Sequence, residues 1–241
     1  MTALHAAGLE SVHLDLASSD SIAAALDDVL GKTGGRLDAL VNNGAYGQPG
    51  AVEDLSRETL RMQFETNVFG TQELTNRVLP VMRAQGHGRI VQISSLLGFV
   101  SLAYRGAYNA SKYALEALTD TMRLELHGSG IQLSLIEPGP ITSRFRENAY
   151  AMFLANIDRA RSPHAAYYRG VEARLGGTKP LPFTLPASAV AACVIKAIES
   201  SRPRVRYRVT VPAHFLAGAK RVLSDRVMDR LLRKVTGGGR R

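Results

Sequence analysis

Tyr108 and Lys112 stand four residues apart in the run Tyr108-Asn-Ala-Ser-Lys112, at the start of a helical pattern, so both side chains fall on one helix face. A phenol with a pKa of about 10 is a poor base at neutral pH, and a neighbouring ammonium that favours the phenolate lowers that value. Such a pair can pass a proton to or from an oxygen while a hydride moves at the attached carbon. Tyr-x-x-x-Lys alone also describes an ordinary surface pair, so the surrounding segments must carry the reading.

Those segments alternate between strand-like and helix-like patterns. Ser11–Leu16 reads as a strand with Val12, Leu14 and Leu16 at period two. Ala17–Leu30 opens with Ser and Asp caps and sets Ile22, Leu26 and Val29 on one helical face. Leu37–Asn42 is an apolar strand, followed by a Gly-rich loop over Gly44–Ala51. A long helix is expected from near Ser56 to Met82, slowed by Pro80, and Gly88–Ser94 is again a strand. Gly106–His127 is a helix ended by Gly128 and Gly130, and Ile131–Pro138 is a strand stopped by proline. After a loop-rich insert over 142–185 come a helix at Ala187–Ser200, a strand at Arg206–Val211 and a basic amphipathic helix. The repetition implies an α/β fold, a doubly wound parallel sheet covered on both faces, with ligands beyond the carboxyl ends of the strands. Four strand ends carry polar or Gly-rich runs (LDLASSD, NNGAYG, ISSLLG and PGPIT), which points to one site at one sheet edge.

The 241 residues suffice for one domain, and 45% hydrophobic with 21% charged residues excludes disordered and fibrous classes. One cysteine, Cys193, excludes a disulfide framework and reads as a small residue on an apolar helix face, consistent with a cytoplasmic location. No stretch reaches the ~20 apolar residues that span a bilayer. The net charge of +9 resides in the tail: Arg202–Arg241 holds twelve Lys or Arg against Asp225 and Asp229. That tail lacks base-stacking aromatics beyond Tyr207 and Phe215, so a solvated helix face is expected rather than a nucleic-acid partner, with membrane-surface contact as the alternative. The six histidines form no i, i+4 pair, so no metal site is expected.

In order along the chain, NNGAYG, Asn67 in NVFG, ISS, YNASK and PGPIT resemble the short-chain dehydrogenase/reductase family, over roughly residues 10 to 143. SRPRVRYRVTVP is similar to the C-terminal part of its hydroxysteroid-dehydrogenase-like branch. The resemblance implies an NAD(P)-dependent oxidoreductase that interconverts a carbonyl and a secondary alcohol. It makes Tyr108 the general acid/base, with Lys112 lowering its pKa and bonding the nicotinamide ribose. Ser95, thirteen residues before Tyr108, holds the substrate oxygen in preference to Ser94. Asn67 matches the residue that holds a water for proton relay. Asp15, followed by Leu16, matches the acidic position near adenine, with helix capping as the other reading of Asp15. Asn43 and Gly44 match the loop beside the cofactor, and Pro138, Gly139, Ile141 and Thr142 match the segment that passes the nicotinamide. A small-molecule substrate and a homo-oligomer follow from the same resemblance.

The chain departs from the family in two places. No G-x-x-x-G-x-G turn precedes Ser11, so Ser11–Leu16 corresponds to the family's third strand and roughly 30 to 40 residues have no counterpart. Thr2–Glu10 reads as a helix end with Gly8 at its C-cap, which suggests a longer gene; otherwise Ser11–Leu16 pairs directly with Leu37–Asn42 through a right-handed crossover. The choice between NAD and NADP has no carrier here, and a non-catalytic binding or scaffold protein is the alternative function. The order Gly44-Ala45 inverts the family's Ala-Gly, so a positive φ there would strain Ala45 unless Gly47 takes the turn. The apolar run Asn148–Ile157, together with Leu96, Leu97, Phe99 and Tyr104, is expected to line an apolar substrate pocket under a mobile lid, with core or dimer contacts as the alternative. Residues 1–241 are read as a single domain, with 142–185 as substrate-loop insert and 202–241 as basic extension.

Overall fold

In the computed structural model, which describes residues 8–177 and 181–235, four parallel strands lie side by side: β1 (Ala39–Asn42), β2 (Gly88–Ile93), β3 (Ile131–Glu137) and β6 (Arg206–Arg208). β2 occupies the middle, paired with β1 from Ala39↔Arg89 and with β3 from Gly88↔Ile131. Alternate residues of these strands point to opposite faces. Ile90, Ile131 and Leu133 therefore pack with Ile22 of helix α1 (Ser19–Lys32) and with Val78 and Met82 of α3 (Thr71–Gln85). Val91 and Ile136 pack with Ala197 of α7 (Ala187–Glu199) on the other face. A sheet covered on both faces explains why β2 and β3 read as nearly continuous apolar runs.

The remaining helices are α2 (Arg57–Phe64), α4 (Gly106–Glu125), α5 (Phe145–Asn156), α6 (Ala165–Gly176), α8 (Val211–Val222) and α9 (Asp225–Val235). A two-stranded pair, β4 (Ile141–Thr142) with β5 (Leu185–Pro186), closes the base of the insert. Gly130 ends the turn after α4 at φ +80°, and a Cβ there would lie 2.0 Å from the Gly86 carbonyl oxygen, so only glycine fits.

Three expectations need correction. Ser11–Leu16 forms no strand and does not pair with β1. A strand needs a neighbour for its N–H and C=O groups, and here the segment turns instead: Ala17 N donates to Asp15 Oδ1 at 2.9 Å and Asp15 N to Ser21 Oγ at 2.9 Å. The single helix expected over Ser56–Met82 is α2, a π-helical stretch over Glu65–Gly70, and α3, which runs through Pro80. The interruption falls at Gly70, where the chain meets the Leu16 carbonyl and only glycine fits: a Cβ would lie 1.7 Å from that oxygen. The basic C-terminal helix is two helices, and the strand before it stops at Arg208, because Thr210 caps α8 by accepting from Ala213 N. The readings for Thr2–Ala7, for 178–180 of the insert and for 236–241 of the tail lie outside the described residues, while Gly8 has the positive φ of a helix end, +71°.

Candidate active site

The carboxyl end of β2 builds the first wall. Ser94 N donates to Ile136 O at 2.8 Å, and Ser95 turns the chain, its Oγ accepting from Leu97 N at 3.1 Å to cap the short helix Leu96–Gly98. α4 brings Tyr108 to this turn, so that Tyr108 and Ser95 line the same cavity wall. One helical turn on, Lys112 is buried and its Nζ donates to Ile93 O at 2.7 Å.

Loss of water pushes the Tyr108 phenol up to about 12, against which the neighbouring Ser95 hydroxyl and the Arg105 charge pull down. Burial also brings the Lys112 ammonium down to about 8, opposed by Glu116. The expected lowering of Tyr108 by Lys112 is therefore corrected: the phenol stands above its ordinary value. Lys112 Nζ is 5.8 Å from the Tyr108 ring centre and is directed at a backbone carbonyl.

Asn43, Ser95, Tyr108, Lys112, Pro138, Gly139 and Ile141 all line one cavity of about 1180 Å³. The Pro138–Ile141 segment is held against that wall at both ends, since Leu96 N donates to Pro138 O at 2.8 Å and Leu185 N to Pro140 O at 3.1 Å. The other site residues stand outside the cavity wall. Asn67, in the π-helical stretch, accepts from Tyr46 N at 3.2 Å and donates to Tyr46 O at 2.9 Å and Ser111 Oγ at 3.2 Å, tying the loop after β1 to α4. Leu16 fills the space beside Gly44, where a Cβ would come within 2.7 Å of Leu16 Cδ1. Asp15 makes its own turn before α1, and the N-cap is Ser18. Thr142 is exposed on β4. The Gly44-Ala45 order costs no strain: neither residue nor Gly47 has a positive φ, and Gly50, at +149°, is the loop's special position.

The cavity's apolar walls differ in part from expectation. Leu96, Leu97 and Ala149 line it, but Phe99 packs with α8 and α9, and Phe153 and Ile157 form a core with Tyr168 of α6. Tyr104 stacks on Tyr167 at 3.7 Å. The helical run Asn148–Ile157 chiefly holds the insert together, and that insert is anchored: the Tyr168 hydroxyl and Ser162 Oγ both donate to Asp54 Oδ2. Phe145, Leu181, Phe183, Val194, Val211 and Phe215 supply much of the apolar surface instead. Loops and helices far apart in sequence meet there, so no local pattern could have found them. Arg105 and Arg146 also line the cavity, and Glu116 sits one turn beyond Lys112. Extending the four-residue spacing by one step would have found Glu116.

A family description of short chain dehydrogenases matches residues 2–152. The chain belongs to the short-chain dehydrogenase family. This short-chain dehydrogenase is 40% identical over 229 residues to the uncharacterized oxidoreductase YbbO of Escherichia coli (strain K12), covering 95% of this chain and 79% of that protein. It is 32% identical over 207 residues to retinol dehydrogenase 8 of Bos taurus, covering 83% of this chain and 64% of the relative. The crystal structure of a short chain dehydrogenase/reductase from Burkholderia phymatum in complex with NAD superposes with a TM-score of 0.73 at 27% identity, covering 91% of this chain and 77% of that one. The donor set here fits the nicotinamide half of such a cofactor: hydroxyls of Ser95 and Tyr108 and the Lys112 ammonium line the same cavity as the Pro138–Ile141 segment.

Proposed function

We propose that this short-chain dehydrogenase interconverts a carbonyl and a secondary alcohol on a bulky apolar substrate, with NAD or NADP as hydride carrier. The observation that carries the reading is the convergence of Ser95, Tyr108 and Lys112 on the wall of one large, mostly apolar cavity. A bound nicotinamide supplies the hydride for reduction and takes it back in oxidation. In reduction, Ser95 holds the substrate oxygen and Tyr108 donates its phenolic proton to it. A phenol standing near 12 keeps that proton at neutral pH, the state an acid needs. In oxidation Tyr108 accepts the proton, and the Lys112 charge offsets the phenolate.

Lys112 and Tyr108 would hold the nicotinamide ribose, Pro138, Gly139 and Ile141 would flank the ring, and Asn43 would face the cofactor from the end of β1. The roles of Asp15, Leu16, Gly44, Asn67 and Thr142 rest on the resemblance. The apolar substrate is supported by the cavity lining and by a relative named for retinol. A homo-oligomer and a cytoplasmic location complete the reading. Tyr108→Phe tests it: turnover is expected to fall by ~10² or more, with the melting temperature kept. Unchanged turnover overturns the assignment.

A further inference from the structure

Tyr108, Lys112 and Glu116 form one stripe on α4 at intervals of four residues, so all three lie on a single helix face, one turn apart. Glu116 is buried, and its Oε2 accepts from Arg206 Nη2 at 2.9 Å and Nε at 3.2 Å. Arg206, on β6, also reaches Asp120 Oδ2 at 2.6 Å and Glu137 Oε1 at 2.9 Å, and Arg208 Nε lies 3.0 Å from Glu137 Oε2. The other oxygen of Glu116 lies on the Ser94 side: a Cβ on Gly98 would fall 2.6 Å from Ser94 Oγ and 3.2 Å from Glu116 Oε1. Glycine at 98 therefore leaves room for Glu116 beside the strand end that carries Ser95.

The titratable and charged groups around the pair are Tyr108, Arg105 and Asp120 from α4, Glu137 from β3, and Arg206 and Arg208 from β6. Lys112 with Arg206 and Arg208 offsets Glu116, Asp120 and Glu137 one for one, and Arg105 adds a further positive charge near Tyr108. A buried ammonium bonded to a carbonyl oxygen loses its proton readily, and a buried carboxylate gains one readily. Each charge here persists because the next one opposes it.

We propose that Glu116 is a positioning residue for the proton-transfer pair: it holds Lys112 in its charged form against the end of β2, and Arg206 keeps Glu116 ionised and in place for that task. The proposal rests on the reading of Lys112 as part of the catalytic set, but the charge of Lys112 is measurable without turnover.

The chain has six lysines, so protein labelled with ¹³C at the lysine ε-carbon gives few signals, and Lys112→Arg assigns that of Lys112. In Glu116→Gln, Lys112 is expected to titrate about 1 pH unit lower, while Glu116→Asp, which keeps the charge, restores most of the difference. Coupling is reciprocal, so in Lys112→Met the Glu116 carboxyl, followed by its Cδ resonance, must titrate higher than in the wild type. Unshifted titration of Lys112 in folded Glu116→Gln overturns the proposal. If that variant does not fold, unshifted titration of Glu116 in Lys112→Met overturns it just as well. In turnover, Glu116→Gln should move the alkaline limb of the pH–rate profile to lower pH, whereas a merely structural role lowers the rate equally at every pH. A Tyr108→Phe variant with full turnover would sink the catalytic reading while leaving these titration shifts intact, so the two failures are distinguishable.

Discussion

The buried Lys112 ammonium carries a cost to the fold that depends on pH. Its proton leaves at about pH 8 in the folded protein and at its ordinary 10.5 in the unfolded chain. Between those values the unfolded chain binds the extra proton, so stability from this residue rises with pH, by about 3 kcal/mol across the window. Below pH 8 both states are protonated and the folded protein bears the full cost of burying the charge. Lys112→Met has nothing to titrate. The urea-unfolding free energy of the wild type, relative to that variant, is therefore expected to climb between pH 8 and 10, and a flat difference would contradict the buried ammonium. Tyr108 acts with the opposite sign, since its folded value stands above its unfolded one, but only above about pH 10. Tyr108 and Lys112 were legible as a pair from their spacing alone; the direction of the Tyr108 shift was not, because it depends on how much water the fold leaves at the hydroxyl.

Among the elements, the π-helical stretch Glu65–Gly70 does the most positioning. It turns Asn67 toward Tyr46 and Ser111, linking the loop after β1 to α4, and it brings Gly70 against the Leu16 backbone. Gly70→Ala forces one of these contacts apart and is expected to cost ~3 kcal/mol, measured by chemical denaturation. A loss below about 0.5 kcal/mol, the usual range for surface changes, would contradict the close approach. The sequence reading expected one helix from near Ser56 to Met82, slowed by Pro80, whereas the chain widens at Glu65–Gly70 and runs helically through Pro80. An amphipathic pattern runs smoothly through one extra residue, and only the contact with a distant segment reveals why the helix widens. Ser11–Leu16 teaches the same lesson for strands: period-two alternation marks a segment able to pair, and pairing needs a partner that alternation does not supply.

On the scale of the whole molecule, the cavity is lined by residues from many elements, among them Val41 of β1 and Val235 of α9, and most of its wall is apolar. Burying a CH₂ group contributes ~0.8 kcal/mol, so across a homologous series of ketones kcat/KM is expected to rise about fourfold per methylene until the cavity is filled. A substrate screen in which small polyols turn over best would contradict this. The tertiary structure also divides the basic tail. Arg206 and Arg208 belong to the charge set around Glu116 and Glu137, whereas the six basic residues of α8 and α9 lie at the surface, where Lys220 bonds Phe99 O and Tyr113. A net charge read from composition does not separate these two populations.

The sequence by itself determined the α/β class, the order of the strands after residue 37, and the family, because each rests on local chemistry: apolar periodicity, glycine and proline stops, and short motifs at strand ends. It also marked Asn43, Ser95, Tyr108, Lys112 and the Pro138–Ile141 segment, which do converge on one cavity. The tertiary structure alone decided which charges surround Glu116, which apolar residues line the cavity, and which strand-like segment forms no strand. Those outcomes depend on contacts between residues tens of positions apart, such as Glu116 with Arg206 or Gly70 with Leu16. No spacing rule along a chain records which distant groups will exclude water from one another.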